Sequence, residues 1–274
     1  MLTQVVATNA QGLTLTMPME DPSGGIAIQD IQGLGPVKAT IVTSSFATTD
    51  GVQYLSAKRE PRNLVFQLGL LPDPFVETVG DVRRRLYSYF MPKTNVDLQF
   101  TDDSGLVVNI TGMIETCEPA IFSKEPAIQV GITCFKPEFI DPTVVFISEN
   151  TVTDTTDLQI ELPDGTVETG MTFQLFPDRD IDEFTIYSDL PNGTSRRLDF
   201  AWPMHIGDSL TINTVPGEKS ITLVRGSVPQ SLLYGMTPQS AWIDFYPGIN
   251  TFRVYAEGAP VPYILTYYNR YGGL

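Results

Sequence analysis

The 274-residue chain is poor in the side chains that most site chemistries need. It has one histidine, His205, and two cysteines, Cys117 and Cys134. One histidine excludes a metal site with two or more His ligands, and also a histidine relay. Two cysteines exclude a four-cysteine zinc site and a disulfide scaffold. Positive charge is scarce as well: Lys plus Arg number 17 and Asp plus Glu 32, a net charge of −15. Wrapping a nucleic acid requires clustered cations, and here the excess has the wrong sign. An acidic pore wall that DNA passes without sticking is compatible with that balance. No stretch approaches the roughly 20 apolar residues of a membrane helix. Met1 to Leu15 has neither a basic opening nor an apolar run of signal-peptide length. The expectation is a soluble chain made in the cytoplasm, without a membrane anchor. Its thiols are expected to be free, although a Cys117–Cys134 bond stays open.

Motif chemistry is missing too. There is no Gly-x-Ser-x-Gly elbow and no phosphate loop ending in Gly-Lys. Gly33-Leu34-Gly35 starts like a dinucleotide fingerprint, but Lys38 takes the third glycine position and no βαβ unit follows. A Ser-His-Asp triad would have to use His205, which sits between Met204 and Ile206 and reads as a partly buried structural residue. Acids abound, yet nothing singles out two of them as a glycosidase pair. Asp178-x-Asp180-x-Asp182, with Asp189 at the twelfth position, imitates a calcium loop. Its sixth position is Glu183 where glycine is needed, so it reads as a solvated acidic loop. No catalytic residue, cofactor or metal ligand is assigned, and the expectation is a protein that is not an enzyme.

What the chain has is strand pattern and enough apolar residues, 42%, to bury real cores. Leu64, Phe66, Leu68 and Leu70 alternate with Val65, Gln67 and Gly69. Val96, Leu98 and Phe100 alternate with Asp97 and Gln99. After the turn cluster Asp102-Asp103-Ser104-Gly105 the apolar set resumes at Leu106, Val108 and Ile110. That predicts a β-hairpin with Gly105 at positive φ. Ile128, Val130, Ile132 and Cys134 form another set, so Cys134 reads as a small core residue. One helix stands out, with Val79, Val82, Leu86 and Phe90 on a single stripe. Asp73 is expected as its cap, Pro74 as its first residue and Pro92 as its stop. Asp81 and Arg85 can pair across its exposed face. Arg83-Arg84-Arg85 fan out over about 200° of that helix, which suits a solvated face or a subunit contact better than a phosphate site.

Between Pro137 and Pro142 the texture changes and a domain boundary is expected, giving domains 1–140 and 141–274. The second part opens strongly acidic; from Asp154 to Asp189 only Arg179 is basic. It still alternates, at Leu158, Ile160 and Leu162, then Asp164-Gly165, then Met171, Phe173 and Leu175. Further short strands are expected at 184–186, 198–200, 221–223, 242–246, 252–255 and 263–268. Turns at Pro191-Asn192-Gly193, Pro216-Gly217 and Pro247-Gly248 separate some of them. Many short strands without helices predict an antiparallel sandwich. Trp202, Trp242 and the tyrosines could stack on sugar rings. Trp242 leads an apolar run with Phe245 and Tyr246, which favours a core or interface role.

Three stretches taken together resemble the distal tail protein family of long, flexible-tailed bacteriophages. The first is Ile31-Gln32-Gly33-Leu34-Gly35-Pro36, followed by Asp50-Gly51 and Arg59-Glu60-Pro61-Arg62-Asn63-Leu64. The second is Cys134-Phe135-Lys136-Pro137-Glu138-Phe139, where the family often has Asp-Pro-Tyr. The third runs Trp242-Ile243-Asp244-Phe245-Tyr246-Pro247-Gly248-Ile249-Asn250, with the ending Tyr267 to Leu274. The likeness spans nearly the whole chain and preserves the order of the pieces.

The resemblance implies a first domain like a tail-tube subunit, a β-sandwich with one helix and a hairpin, joined with sister copies into a ring, generally hexameric. It implies a second domain that is a galectin-like or carbohydrate-module-like sandwich outside the ring. Implied partners are the tail tube protein, the tail-tip hub protein and DNA as cargo through the channel. A receptor-binding protein or host saccharide can attach outside. The implied location is the virion tail tip, after assembly in the host cytoplasm. Candidate lumen or subunit-contact residues are Asp97, Asp102, Asp103, Arg83 and Arg84, with the acids expected to face the channel. Candidate sugar or partner contacts are Trp202 and Trp242. The rival expectation is a carbohydrate-binding sandwich that recognises the host surface.

Overall fold

A computed structural model describes residues 1–274 except Ser23, Thr49, Phe122, Pro163, Asp164 and Ala259. The chain is mainly β, as the alternation predicts, with a single α-helix among the described residues. It divides into two compact units: residues 1–142 together with 271–274, and residues 143–270.

The first unit contains β1 (Leu2–Asn9), β2 (Thr14–Pro18), β3 (Ile26–Gln32), β4 (Ala39–Ser44), β5 (Gln53–Arg59) and β6 (Arg62–Leu70). Then come α1 (Val79–Tyr89), β7 (Asn95–Asp102), β8 (Val107–Pro119), β9 (Ala127–Cys134) and the start of β10 (Phe139–Asn150). The main sheet is antiparallel in the order β2-β1-β7-β8-β9-β6-β3, and Ile140 of β10 pairs with Asn109 of β8. The period-2 sets meet across strands: Leu64, Phe66 and Leu68 lie opposite Ile132, Val130 and Ile128. All six are buried, as is Cys134. The predicted hairpin is β7–β8. The Asp102 carboxylate accepts from the backbone N–H groups of Ser104 and Leu106, both at 2.9 Å, and Gly105 has φ +88°.

The helical stripe is in place, with Val82, Leu86 and Phe90 buried and Val79 packed against the core. Each such side chain contributes about 1.5–3 kcal/mol of transfer free energy. The start of the helix differs from expectation. Thr78, not Asp73, is the cap: its hydroxyl accepts from the Asp81 N–H, and the Asp81 carboxylate accepts from the Thr78 N–H at 3.0 Å. Such a reciprocal box satisfies two otherwise orphaned donors, which a single cap cannot do. Asp73 instead closes a separate turn by accepting from the Phe75 N–H. The charge pairing shifts as well. Asp81 pairs with Arg84 three residues on, while Arg85 reaches Glu77 at 2.9 Å.

The second unit holds the rest of β10, then β11 (Leu158–Leu162), β12 (Thr169–Leu175), β13 (Ile181–Asp189), β14 (Ser195–Met204), β15 (Ser209–Asn213) and β16 (Ser220–Arg225). β17 (Val228–Ser231), β18 (Asp244–Phe245), β19 (Gly248–Tyr255) and β20 (Pro262–Tyr271) complete it. One sheet runs β11-β19-β13-β14; the other runs β17-β16-β15-β12-β20 with β10 beside β20. Their inner faces share one core, in which Phe173 of one sheet meets Phe184 of the other with ring centroids 5.8 Å apart. The strand expected at 242–246 shrinks to the two residues of β18. Part of the expected Asp164-Gly165 turn lies outside the described residues.

Candidate functional site

The sequence stretches that carried the family resemblance gather, in the first unit, around one side chain. Arg62 opens β6 and is 1% exposed. Its guanidinium donates to the carbonyls of Pro137 (2.7 Å), Gly35 (2.8 Å), Gly272 (2.7 Å) and Gly33, and lies 4.3 Å from the centre of the Phe139 ring. Burial pulls its pKa below the ordinary arginine value. A buried cation is tolerated only when its donors are satisfied, and here four carbonyls from three separate segments do that. Gly33 has φ +90°, and a Cβ there would stand 2.0 Å from the Asn63 carbonyl oxygen, so the close approach needs glycine. This cluster joins the Gly33–Pro36 turn, the Pro137–Phe139 segment and the Gly272 backbone. It holds the fold together and spends four of the five guanidinium N–H donors on backbone carbonyls.

The candidate contact residues lie on different surfaces of that unit. Asp97 is exposed on the outer face of the main sheet, opposite Thr8 and Thr111, and accepts from the Thr111 hydroxyl at 2.6 Å. Asp102 and Asp103 form the β7–β8 turn. Hydrogen bonding from Ser104, then from the Leu106 backbone, holds the Asp102 carboxyl below the usual range. Asp103 pairs with the Met1 amino group. Arg84 is exposed and tied to Asp81, while Arg83 is half-buried and makes no ion pair among the described residues. Neither β6 nor the β7–β8 hairpin supplies a free sheet edge for contact between copies. β6 lies between β3 and β9, and β7 between β1 and β8. Both are interior strands whose backbone groups are already paired.

The outer face of this sheet has a consistent character. Its exposed residues include Asp97, Thr111, Glu115, Glu118 and Gln129, with Gln67 half-buried beside Gln129. The seven strands of the sheet contain no lysine, and their one arginine is the buried Arg62. The face is therefore polar, acidic and free of cations.

Sequence reasoning missed the β4–β5 hairpin. It forms a two-stranded sheet of its own, and Ile41, Val42, Tyr54 and Leu55 are all exposed, with Tyr54 at 63%. Ile41 and Val42 are consecutive and so point to opposite faces. The arm thus buries neither face, and its base is tied down where Arg59 reaches Glu138 at 3.1 Å. The signal was present: paired apolar residues without alternation, bracketing the Asp50-Gly51 turn.

In the second unit Trp202 and Trp242 are half-buried against the core. The Trp202 ring meets Tyr234 edge-on at 5.2 Å, and the Lys219 ammonium stands 5.4 Å from the centre of the Trp242 ring. His205 differs from expectation. It is exposed, with Nδ1 3.2 Å from Asp180. Its position after Met204 places it in the loop that follows β14 rather than in the strand register. No group of metal-ligating side chains occurs among the described residues. Cys117 and Cys134 are free thiols, and burial pushes both up to about 11.

No protein-family model matches the sequence, and no curated protein does. Solved structures do. The fold matches the crystal structure of the phage SPP1 Dit protein, described as a paradigm of the hub adsorption apparatus in phages that infect Gram-positive hosts. The TM-score is 0.65 and the identity 16%, over 97% of this chain and 98% of that one. A chain of the phage P2 baseplate in its activated conformation with calcium matches at a TM-score of 0.46 and 9% identity, over the full length of both. The first likeness shows that the chain has the Dit fold.

Proposed function

We propose that the chain is the hub of a phage tail tip, a distal tail protein whose copies close into a ring, generally of six, between the tail tube and the tip. The observation that carries this reading is the shared fold with the SPP1 hub protein along nearly the whole length of both chains. The first unit forms the ring and the second sits outside it. The cation-free outer face of the main sheet, Asp97 included, lines the channel. Repulsion between carboxylates and DNA phosphates keeps the passing duplex from sticking, whereas lysines or arginines there would bind it and release counterions. The role is architectural rather than catalytic. Partners are the tube and tip proteins, with receptor-binding components on the second unit. A saccharide site at Trp202 or Trp242 has no comparable support, because each indole is packed against the core and meets a second neighbour. Negative-stain imaging of the purified chain tests the reading. Rings with a central hole support it, and a uniform field of single globules overturns it.

A further inference from the structure

The first unit carries two unused apolar features that do not overlap. One is the β4–β5 arm. An isolated two-stranded hairpin is marginal in water, and this one leaves Ile41, Tyr54 and Leu55 more than half exposed. Its strands hold Lys58 and Arg59 and no acid. The other is a recess of about 260 Å³ beside the β7–β8 turn, lined by Leu2, Phe100, Leu106 and Val108 with Asp102 among its polar atoms. An apolar cavity of about 150 Å³ accepts benzene, so the recess holds an aromatic ring with room to spare. Its rim carries two acids, Asp102 and Asp103, against one cation, the Met1 amino group that pairs with Asp103, so the rim keeps an acidic excess where the strands of the arm are basic.

We infer that the recess receives the β4–β5 arm of a second copy of this chain, with Tyr54 of that copy filling it. The phenol ring takes the apolar lining and its hydroxyl donates to the Asp102 carboxylate. The Lys58 end of the strand lies along the acidic turn. Knob and recess are different surfaces of one chain, so the contact is heterologous; repeated around an axis it generates a ring or, if it does not close, a filament. This rests on the ring reading above and adds the contact that builds it. It assigns Asp102 and Asp103 to the joint between copies rather than to the channel wall.

The test uses variants of the full chain with one introduced cysteine each, Tyr54→Cys and Leu106→Cys, oxidised separately and as a mixture. The native thiols, pushed up to about 11, contribute little thiolate at neutral pH. A disulfide-linked dimer is expected in the mixture and in neither variant alone. Tyr54→Asp should weaken self-association by about tenfold or more, as loss of an interface anchor does, while Tyr54→Phe changes it by less than about threefold. Tyr54 is exposed in its own chain, so both variants should unfold at the wild-type midpoint. Self-crosslinking of Tyr54→Cys alone overturns the inference, since it means arms meet arms. Rings that form from the mixture without any disulfide between the two introduced thiols overturn it and leave the hub reading intact; a chain that stays monomeric overturns both.

Discussion

Arg62 shows how one side chain can decide whether distant pieces of sequence belong together. Four carbonyls depend on its guanidinium, and its removal leaves them without that donor. Hydrogen bonds to a charged group contribute about 1.5–3 kcal/mol each, and orphaned buried partners cost more than the bond was worth. Arg62→Ala is therefore expected to destabilise the first unit by about 3 kcal/mol or more, read from the urea midpoint. A loss under about 1 kcal/mol would mean the cluster is incidental. Asp208 in the second unit gives a pH signature. It is buried, and its carboxyl is held below the usual range, first by the Arg225 side chain and then by the His205 backbone N–H. A depressed carboxylate contributes stability that is present above its unfolded value, near 3.9, and is lost as the pH falls through the lower folded value. Asp208→Asn should lower the midpoint at neutral pH and flatten its decline below about pH 4. An unchanged slope in acid would show that Asp208 does not titrate with folding.

At the scale of elements, α1 separates two caps five residues apart. Thr78→Ala should cost about 1 kcal/mol and Asp73→Ala much less, measured as shifts in the unfolding midpoint. The reverse order would restore the cap that the Asp73-Pro74 pair suggests. The strands were legible because each buries one face: Leu64 to Leu70 and Ile128 to Cys134 alternate in sequence and interleave in space. The arm was not legible because it buries neither face, so nothing selects alternation in it. Sheet edges were not legible either, since which strands lie side by side depends on long-range pairing that no local pattern records. Of the candidate site, the acidic turn and the exposed Asp97 could be read from spacing. The recess could not, because it is assembled from Leu2, Phe100 and Leu106, residues that local patterns do not connect.

At the scale of the whole molecule, charge and topology point to one use. A chain of net charge −15 that keeps lysine off every strand of one sheet and places Lys58 and Arg59 on an arm has segregated its few cations away from that face. That distribution suits the proposed conduit wall joined by arms, and the second unit has a hydrophobic core of its own. The most direct test is the mass of the purified chain by light scattering over a wide concentration range. A species of several 30.2 kDa copies that persists on dilution, six being the expected number, is the outcome that fits a hub. A particle of 30.2 kDa at every concentration, with or without tube protein added, contradicts it.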